Sequence, residues 1–468
     1  MKQDRLIGYF DKSASDRDIW IKKNKYYNKL LINFLKFHIP EEKNVLEIGC
    51  GIGFILNSLK PKKGFGIDFS KEMISLGSKK YINLNFIVGN ASDYKLNEKF
   101  DHIIISDSIG YFEDVQAILK NIRQNCTNKT RVIINYYNKL WEPVLKLAEF
   151  LGLKAKEPFT NWLSKKDIEG LLNLEQFEVI KTGEIILIPK FIPLISNFCN
   201  RYLAPLPLIR KLCLSQYIIA RPINIEPKKE KTVSIIVPAR NEKGNIEKIV
   251  QQLPDLGEET EIIFIEGGSS DGTWEEIKRI AEKYRNKNIL QSQQERRGKG
   301  DAVRKGFELA SGEILMIYDA DMTVPAKDME KFYRAIASNK GEFINGSRLV
   351  YPMEEEAMRT LNLFGNKMFS LMFSWLLDQR LKDTLCGTKV ISKENYMMLK
   401  KNGSYFGDFD PFGDFDLIFG ASKMDLKIVE IPIRYQERKY GETNIRRFAH
   451  GWLLIKMCFF AMRKIKFI

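Results

Sequence analysis

The sequence predicts an α/β protein with two domains, each organised around a sheet of parallel strands. Three observations support this prediction: a length of 468 residues, two strand–loop–helix openings near residues 44 and 233, and a linker-like stretch between them. Domains usually hold about 100–200 residues, so the length favours two domains and permits three. Short apolar runs alternate with amphipathic stretches after each opening, which is typical of a parallel sheet covered by helices.

The composition is that of an ordinary globular protein. Hydrophobic residues make up 44% and charged residues 28%, which excludes a disordered, collagen-like or disulfide-rich chain. The six cysteines include no C-x-x-C pair, so we expect a reduced, cytoplasmic location rather than a zinc site or a disulfide framework. The first residues lack the apolar core of a secretory signal, and no apolar run reaches the roughly 20 residues that span a bilayer.

The net charge of +15 indicates an anionic partner, which could be nucleic acid, a membrane or a phosphate group. Nucleic-acid binding would require a basic patch with aromatic readers, whereas the basic residues are spread along the chain. We therefore expect no nucleic acid partner. Residues 1–226 hold 34 basic and 24 acidic residues, a positive excess that no motif explains.

A stretch rich in proline and charge, EPKKEK at residues 226–231, is typical of a linker between domains. We place the boundary near residue 228. This predicts a first domain at 1–227, a second at 228–445 and a basic amphipathic tail at 446–468. The two openings carry different motifs, so we see no internal duplication.

The first opening, NVLEIGCGIG at residues 44–53, is a buried-strand run followed by a glycine-rich turn. Glycines there let the backbone approach a ligand because no Cβ intervenes. Asp68 closes the next strand, where a carboxylate can accept both ribose hydroxyls. The dinucleotide fingerprint fails because Leu56 stands where its third glycine would fall. Glu47 would repel a pyrophosphate and suits a cationic ligand.

These residues, E-x-G-C-G-x-G followed by G-I-D-F-S, resemble the class I S-adenosylmethionine (SAM)-dependent methyltransferases over about residues 20–190. The resemblance implies a methyltransferase fold with the glycine loop against the methionine part of SAM and an acid on its ribose. It also places Asn90 at the adenine, where the family often has aspartate. The cofactor-binding residues implied are Glu47, Gly49, Gly51, Gly53, Asp68 and Asn90.

The catalytic side of this domain is less defined by the sequence. His102 lies in the middle of an apolar run, so we expect a core histidine rather than a base, and no other side chain stands out. Residues 140–222 could form a lid or the last strands and helices of the sheet. The methyl acceptor is therefore open, and so is a binding or regulatory role for this domain without catalysis.

The second opening, VSIIVPARNE at residues 233–242, turns from a strand into a helix. A second strand ends at Glu266, and a later one ends in the D-x-D motif of Asp319 and Asp321. Two carboxylates at a strand end suit a divalent cation, Mg²⁺ or Mn²⁺, which would neutralise a nucleoside phosphate leaving group. A D-x-D motif alone is usually a solvated turn, but this one follows a buried strand and three ordered motifs.

Together these motifs resemble the family 2 glycosyltransferases, closest to the dolichol-phosphate mannosyltransferase-like branch, over about residues 232–445. The resemblance implies a GT-A type fold, a nucleotide-sugar donor and inversion at the sugar carbon. Asp319 and Asp321 match the metal motif and are predicted to be catalytic. Glu266-Gly267 departs from the paired aspartates of many members, which leaves the nucleobase open. The predicted donor-binding residues are Pro238, Arg240, Glu242, Glu266, Asp271, Lys299, Arg348 and Arg438, the last followed by G-E-T-N at 441–444.

The acceptor decides whether a base is needed. A phosphate acceptor of the polyprenyl type is already ionised near pH 7, whereas a hydroxyl acceptor would need a base. Asp414 and Asp416 are the candidates, and we predict that Asp416 is catalytic.

The tail alternates basic with large apolar residues, which is typical of a helix lying in a membrane surface. Residues 359–377 are either a second such helix or a packed one. We expect a protein peripheral to the inner face of the membrane.

These expectations combine into a bifunctional enzyme. The second domain would transfer a sugar to a polyprenyl-phosphate-type acceptor, and the first would methylate a small molecule or glycan. The alternative is a glycosyltransferase whose first domain only binds SAM or regulates the second.

Overall fold

The computed structural model divides the chain into two compact units, residues 1–226 and 227–466. Each unit contains a seven-stranded sheet with helices packed on it. The residues that the structure describes are 2–154, 161–223, 230–296, 298–350, 360–401, 414–438, 440 and 447–467.

The first unit begins with three helices and then alternates strands with helices. Its elements are α1 (Lys2–Ser13), α2 (Arg17–Lys23), α3 (Lys25–His38), β1 (Asn44–Ile48), α4 (Phe54–Ser58), β2 (Lys63–Asp68), α5 (Lys71–Lys80), β3 (Asn85–Val88), β4 (His102–Ser106), α6 (Val115–Arg123), β5 (Arg131–Tyr137), α7 (Glu142–Phe150), α8 (Lys165–Leu174), β6 (Phe177–Ile185), α9 (Ile195–Phe198) and β7 (Ser215–Pro222).

The first sheet has the strand order β3-β2-β1-β4-β5-β7-β6. Strands β1 to β5 are parallel, with Ile48 level with both Ile67 and Ile105. The chain moves outward from β1 to β3 and then returns to β4 on the other side of β1. A crevice opens at such a reversal, beyond the carboxyl ends of the strands, and ligands bind there in open α/β sheets.

One strand of this sheet, β7, differs from the predicted parallel arrangement. β7 lies between β5 and β6 and runs antiparallel to both. Apolar periodicity cannot give strand direction, because parallel and antiparallel strands bury the same alternating positions. Residues 140–222 therefore complete the sheet and its helices. The predicted core histidine, His102, is buried in β4 beside the fully buried Ile103–Ile105.

The second unit follows the same plan. Its elements are β8 (Val233–Ala239), α10 (Lys243–Gln252), β9 (Thr260–Glu266), α11 (Thr273–Lys283), β10 (Asn288–Gln293), α12 (Lys299–Leu309), β11 (Ile314–Ile317), α13 (Met329–Ala337), β12 (Phe343–Ser347), α14 (Thr360–Leu377), β13 (Lys389–Ser392), α15 (Lys393–Lys401), α16 (Asp414–Lys423), β14 (Ile428–Pro432) and α17 (Arg447–Ala461).

The second sheet has the strand order β10-β9-β8-β11-β13-β12-β14. β13 is antiparallel to both of its neighbours, whereas the remaining neighbouring strands are parallel. The order reverses between β8 and β11, so the segments that follow β8, β9 and β11 lie at one edge of the sheet. These segments carry the predicted donor and metal residues.

Helix α14 packs on the second sheet through one face. Phe373 and Leu376 are fully buried in the core, and Met457 and Cys458 of α17 join the same cluster. Leu371 remains exposed on α14. Of the two expectations for residues 359–377, the packed helix agrees with this burial, while residue 359 lies outside the described residues. None of the helices that the structure describes is long and apolar enough to cross a membrane.

Candidate functional sites

The glycine loop after β1 has a backbone that only glycine adopts easily. Gly49, Gly51 and Gly53 all have positive φ, at 72°, 54° and 77°. A side chain on Gly49 would collide with Ser108, and one on Gly53 would collide with Phe86. A side chain on Gly51 would meet no atom within 4 Å. Gly49 and Gly53 thus fit the loop to the sheet, while Gly51 borders the open space into which a ligand can enter.

Asp68 ties the ends of β1 and β2 together. Its carboxylate accepts the Gly51 N–H at 2.8 Å and the Ser70 N–H at 2.9 Å. Burial raises the pKa of Asp68, and these two hydrogen bonds oppose the rise. A carboxylate offers about four acceptor positions, so about two stay available for ribose hydroxyls. The residues present therefore fit the ribose of SAM.

Glu47 lies behind the glycine loop and is only 2% exposed. One of its oxygens accepts the Leu56 N–H at 3.1 Å. Burial raises the pKa of Glu47 to about 8, and the nearby Asp68 carboxylate adds to the rise. A cation placed beside it would favour the ionised form instead. The site therefore suits the positively charged part of SAM better than any anion.

Asn90 stands at the carboxyl edge of β3, as its predicted role requires. It is half-buried, and its side-chain oxygen accepts the Ser92 N–H at 3.2 Å. This bond orients the amide and leaves its nitrogen as a donor. The contact with adenine stays a prediction.

Helix α1 covers this edge of the sheet, which the sequence did not predict. The Phe10 ring contacts the rings of Phe69 and Tyr111 at centroid distances of 5.5 and 5.2 Å. Asp11 accepts a hydrogen bond from the Ser70 hydroxyl at 2.5 Å. The aromatic and acidic residues of MKQDRLIGYFD were the available signal, but their partners are distant in sequence.

A second group missed in the sequence surrounds Asp107, which follows β4 directly. Asp107 accepts hydrogen bonds from the Tyr27 hydroxyl at 2.7 Å and the Asn135 amide at 2.9 Å. The Tyr27 oxygen also lies 3.1 Å from the Ser215 hydroxyl. Burial, with the Asp107 charge, raises the pKa of Tyr27 well above its usual value, so Tyr27 stays a donor. Asp107 has a φ of 51°, a conformation uncommon outside glycine.

In the second unit, Arg438 connects two of the predicted site segments. Its guanidinium donates to Glu242 at 3.1 Å and to Asp321 at 2.9 Å. Burial raises the pKa of Glu242 to about 7; the Arg438 charge opposes the rise and the Asp321 charge adds to it. The structure thus brings together three residues that the sequence assigned to one site. The G-E-T-N segment at 441–444 lies outside the described residues.

The D-x-D carboxylates are each paired with a cation. Asp319 contacts the Lys299 ammonium at 2.5 Å, and Asp321 accepts from the Thr323 N–H and hydroxyl at 3.1 and 2.9 Å. A side chain on Gly387 would collide with Asp319 and Lys299, so the D-T-L-C-G-T-K segment passes directly beside the motif. Both carboxylates are partly exposed and accessible to a ligand.

These two carboxylates suit Mg²⁺ as it is usually bound, by one or two carboxylates together with phosphate oxygens and water. Within the described part of the chain, no group of three or more His, Cys, Asp or Glu residues is arranged to hold a metal ion. The metal site therefore stays a prediction that depends on oxygen ligands from the donor.

The nucleotide-binding candidates line the segments after β8 and β9. Glu266 is buried and accepts from Ser269 N–H at 2.5 Å and the Gln293 amide at 3.0 Å. Asp271 accepts from the backbone N–H of Lys243 and Thr273. Burial alone would raise the pKa of Asp271, but the hydrogen bonds from Thr273 and Lys243 outweigh it and lower the pKa. Pro238 is half-buried and Arg240 is exposed.

Two further predicted site residues, Arg348 and Asp416, have neighbours different from those of the residues described so far. Arg348 forms a bidentate pair with the fully buried Asp383 at 2.8 and 2.9 Å and lies over the Tyr435 ring. This pairing commits its guanidinium to the protein, so its predicted donor contact would require a rearrangement. Asp416 is half-buried in α16. The side chain of Asp414 lies outside the part of the chain that the structure describes.

Comparisons with known proteins assign both units to transferases. The sequence model of a methyltransferase domain matches residues 20–182, and that of Glycosyl transferase family 2 matches residues 234–397. The chain therefore carries a methyltransferase domain and a family 2 glycosyltransferase domain.

The curated relatives align with the second unit. Glycosyltransferase AglJ of Haloferax volcanii is 28% identical over 47% of this chain and 69% of its own length. Dolichol-phosphate mannosyltransferase of Pyrococcus furiosus is 33% identical over 46% and 59%, and dolichyl-phosphate beta-glucosyltransferase ALG5D of Trichomonas vaginalis is 28% identical over 46% and 68%. The chain thus spans about two thirds of these relatives or less. It is a methyltransferase domain fused to a glycosyltransferase domain related to dolichol-phosphate mannosyltransferases.

Solved structures align with the first unit at low identity. A SAM-dependent methyltransferase of Thermotoga maritima covers 46% of this chain and 99% of its own, with 15% identity and a TM-score of 0.38. Magnesium protoporphyrin IX methyltransferase of Synechocystis, solved with bound SAH, covers 47% and 100%, with 17% identity and a TM-score of 0.33.

Proposed function

We propose that the second unit transfers a sugar, with inversion, from a nucleotide-sugar to a polyprenyl-phosphate-type acceptor. The observation that carries this proposal is the alternation of acids and cations at the sheet edge, where Arg438 joins Glu242 to Asp321 and Lys299 pairs with Asp319. In such an arrangement the carboxylates can bind a divalent cation, and the basic side chains can bind the phosphates that accompany it. The related glycosyltransferases are named for dolichol-phosphate substrates.

The reaction follows from these charges. Asp319 and Asp321 would hold a divalent cation, which would stabilise the charge on the departing nucleoside diphosphate. Lys299 and Arg438 would then shift from carboxylates to phosphate oxygens, because charge-assisted bonds to phosphate are strong. An acceptor phosphate oxygen attacks the anomeric carbon opposite the leaving group, forming one C–O bond as the other breaks. The acceptor is already ionised, so this step needs no base.

We also propose that the first unit transfers the methyl group of SAM to a hydroxyl or amine acceptor. Gly51 and Asp68 would bind the cofactor, and Glu47 would favour its positive charge. Asp107 would orient the acceptor and receive its proton as the methyl group leaves the sulfonium. Tyr27 and Asn135 hold the Asp107 carboxylate beside the glycine loop, since the adjoining Ser108 contacts Ile48 and Gly49.

The glycosyltransferase proposal is tested by incubating the full chain with UDP- and GDP-sugars and polyprenyl phosphate, with products identified by mass spectrometry. Metal-dependent formation of a glycosyl phospholipid is expected, and Asp321→Asn should abolish it. Asp255→Asn is the matched control, because Asp255 is an exposed carboxylate of the same unit. Retention of transfer by Asp321→Asn would refute the assigned site.

The methyltransferase proposal is tested by calorimetric titration of the full chain with SAM. Asp68→Asn should weaken binding by about tenfold or more, because a charged acceptor for hydroxyl groups is lost. Glu41→Gln, an exposed carboxylate that precedes β1 at the opposite edge, should leave binding unchanged. If SAM binds but Asp107→Asn does not alter methylation of an acceptor found by screening, the proton-accepting role fails. Binding without any methylation would favour the regulatory alternative.

We further propose that α17 lies at a membrane surface, which would place the protein peripherally at the inner face. Trp452 and Phe459 are exposed on this helix, and Lys456 lies near them. Residue 446 of the predicted tail lies outside the described residues. Weaker vesicle binding by the chain that carries Trp452→Glu and Phe459→Glu is the expected result, and unchanged binding would contradict the proposal.

A further inference from the structure

The connection between β6 and β7, residues 186–214, is unusual in length and composition. Two antiparallel neighbours are usually joined by about two to five residues. This β6–β7 connection is far longer, contains no aspartate or glutamate and carries four basic residues, Lys190, Arg201, Arg210 and Lys211. It therefore accounts for part of the positive excess in residues 1–226.

The β6–β7 connection turns its polar side chains inward. Ser196 is fully buried, where it accepts the Ile192 N–H at 2.9 Å and donates to the Lys190 carbonyl at 2.7 Å. The Asn200 side chain accepts the N–H of Leu187 and of Ile188 at 2.7 and 2.9 Å. These hydrogen bonds hold the backbone of the connection in one conformation, so its outer face has a defined shape.

Many large apolar side chains of the same connection point outward, although Ile186 and Leu214 at its two ends are buried. Leu194 is 87% exposed although it stands two residues before the buried Ser196. This is the reverse of the usual arrangement, in which apolar groups are buried and polar groups face water. A cluster of such residues marks an interaction site. The exposed residues include Phe191, Leu194, Ile195, Phe198, Leu208 and Leu212.

Helix α7 extends this surface. None of its residues is buried, and its exposed apolar residues, with those flanking it, recur at the spacing of one helical face: Leu140, Val144, Leu147 and Leu151. The turn before α7 is joined to the connection by the indole N–H of Trp141, which donates to the Leu212 carbonyl at 2.7 Å. The Asn138 amide also donates to the Lys211 carbonyl. The two apolar surfaces thus belong to one structural element of the first unit.

We infer that the β6–β7 connection and α7 form a docking surface for an anionic lipid bilayer. Exposed aromatic and aliphatic side chains insert at the boundary of headgroups and acyl chains, and basic residues attract anionic headgroups. The connection contains no acid. The two acids of α7, Glu142 and Glu149, are paired with Lys146 and Lys154, which reduces their repulsion of anionic headgroups. The inference that the partner of this surface is a bilayer rests in part on the proposed function, since a polyprenyl-phosphate acceptor resides in a bilayer.

The test is flotation of the full chain with vesicles of phosphatidylcholine, with and without phosphatidylglycerol. Leu194→Glu combined with Phe198→Glu should lower partition into the anionic vesicles by at least about tenfold, because two inserting side chains become charged. Ile82→Glu is the matched control, as Ile82 is 91% exposed in the same unit but distant in sequence from both segments. It should bind as the unsubstituted chain does. SAM affinity, unchanged in all variants, verifies folding.

The contribution of α17 is separated by repeating the substitutions in a chain that carries Trp452→Glu and Phe459→Glu. Residual binding should persist in that chain and disappear when Leu194→Glu and Phe198→Glu are added. The inference is overturned if these two changes leave vesicle binding unaltered in both backgrounds. It is also overturned if they abolish self-association in sedimentation without changing vesicle binding, since the occupant is then a second copy. Failure of sugar transfer to polyprenyl phosphate, with vesicle binding intact, would refute the proposed function alone.

Discussion

The two units share the order of four strands, β3-β2-β1-β4 in the first and β10-β9-β8-β11 in the second, but they stabilise their site carboxylates in opposite ways. In the first unit, backbone N–H groups bind Asp68 and burial keeps Glu47 mostly protonated. In the second, Lys299 and Arg438 pair with Asp319 and Asp321. The first arrangement can gain from a cationic ligand, whereas the second already supplies cations that can bind phosphates. The fold therefore fixes where a ligand binds, and the partners of the carboxylates decide its charge.

The largest expected effect tests whether burial dominates in the first unit. The pKa of Glu47 is raised in the folded state from 4.5 to about 8, so the folded protein binds an extra proton between these values and loses stability as the pH rises through them. In Glu47→Gln this loss should disappear, a difference on the order of 4 kcal/mol in the free energy of unfolding above pH 8.

The measurement is thermal unfolding across this pH range, followed through the transition that SAM shifts upward. Glu41→Gln, at an exposed position, should retain the pH dependence of the unsubstituted chain. An unchanged slope in Glu47→Gln would mean that the carboxyl is ionised in the folded state, and the contrast between the units would be lost.

The next effect tests the role of cations in the second unit. Arg438→Gln removes the charge that joins Glu242 and Asp321, and should lower kcat/KM for the nucleotide-sugar by about a hundredfold. Arg438→Lys should recover part of this activity because it keeps the charge but not the two-pronged geometry. Arg334→Gln, on the exposed surface of α13, should have no effect. Equal activity of the Gln and Lys variants would contradict a role for the charge.

The smallest effect concerns the glycine loop. Gly51→Ala should cost about 1 kcal/mol in the free energy of unfolding, because only the positive φ is unfavourable. Gly49→Ala should cost about 2–3 kcal/mol, because its side chain also collides with Ser108. Denaturant unfolding with and without SAM compares the two. If Gly51→Ala were the more destabilising variant, the loop would not have the conformation described.

Local motifs were predicted well because short segments determine them. A strand, a glycine turn and an acid at the end of the next strand lie within residues 44–68, and the D-x-D motif directly follows one strand. The structure has both seven-stranded sheets where the openings predicted them. The antiparallel direction of β7 and β13 was not predicted, because the pattern of buried residues is the same for either direction.

Partners distant in sequence could not be predicted in the same way. Tyr27 and Asp107 are 80 residues apart, and Asp107 by itself was only a polar residue after a strand. The pairing of the Arg348 guanidinium with Asp383 was not predicted either, and the contact of Arg348 with the donor stays a prediction. The amino acid type determines which interactions a side chain can form, but the folded structure determines which residue it interacts with.

The sequence by itself determined that the protein has two α/β transferase domains, and which loops carry the cofactor and donor motifs, because those motifs are set by neighbouring residues. Only the tertiary structure decided that Arg438 reaches Glu242, 196 residues away, since strand order brings their segments together. Only the tertiary structure, likewise, decided that the β6–β7 connection exposes Leu194, Phe198 and Leu208. From the sequence alone, an apolar residue is expected to be buried. Only the packed fold shows which apolar side chains remain exposed because no core lies beside them.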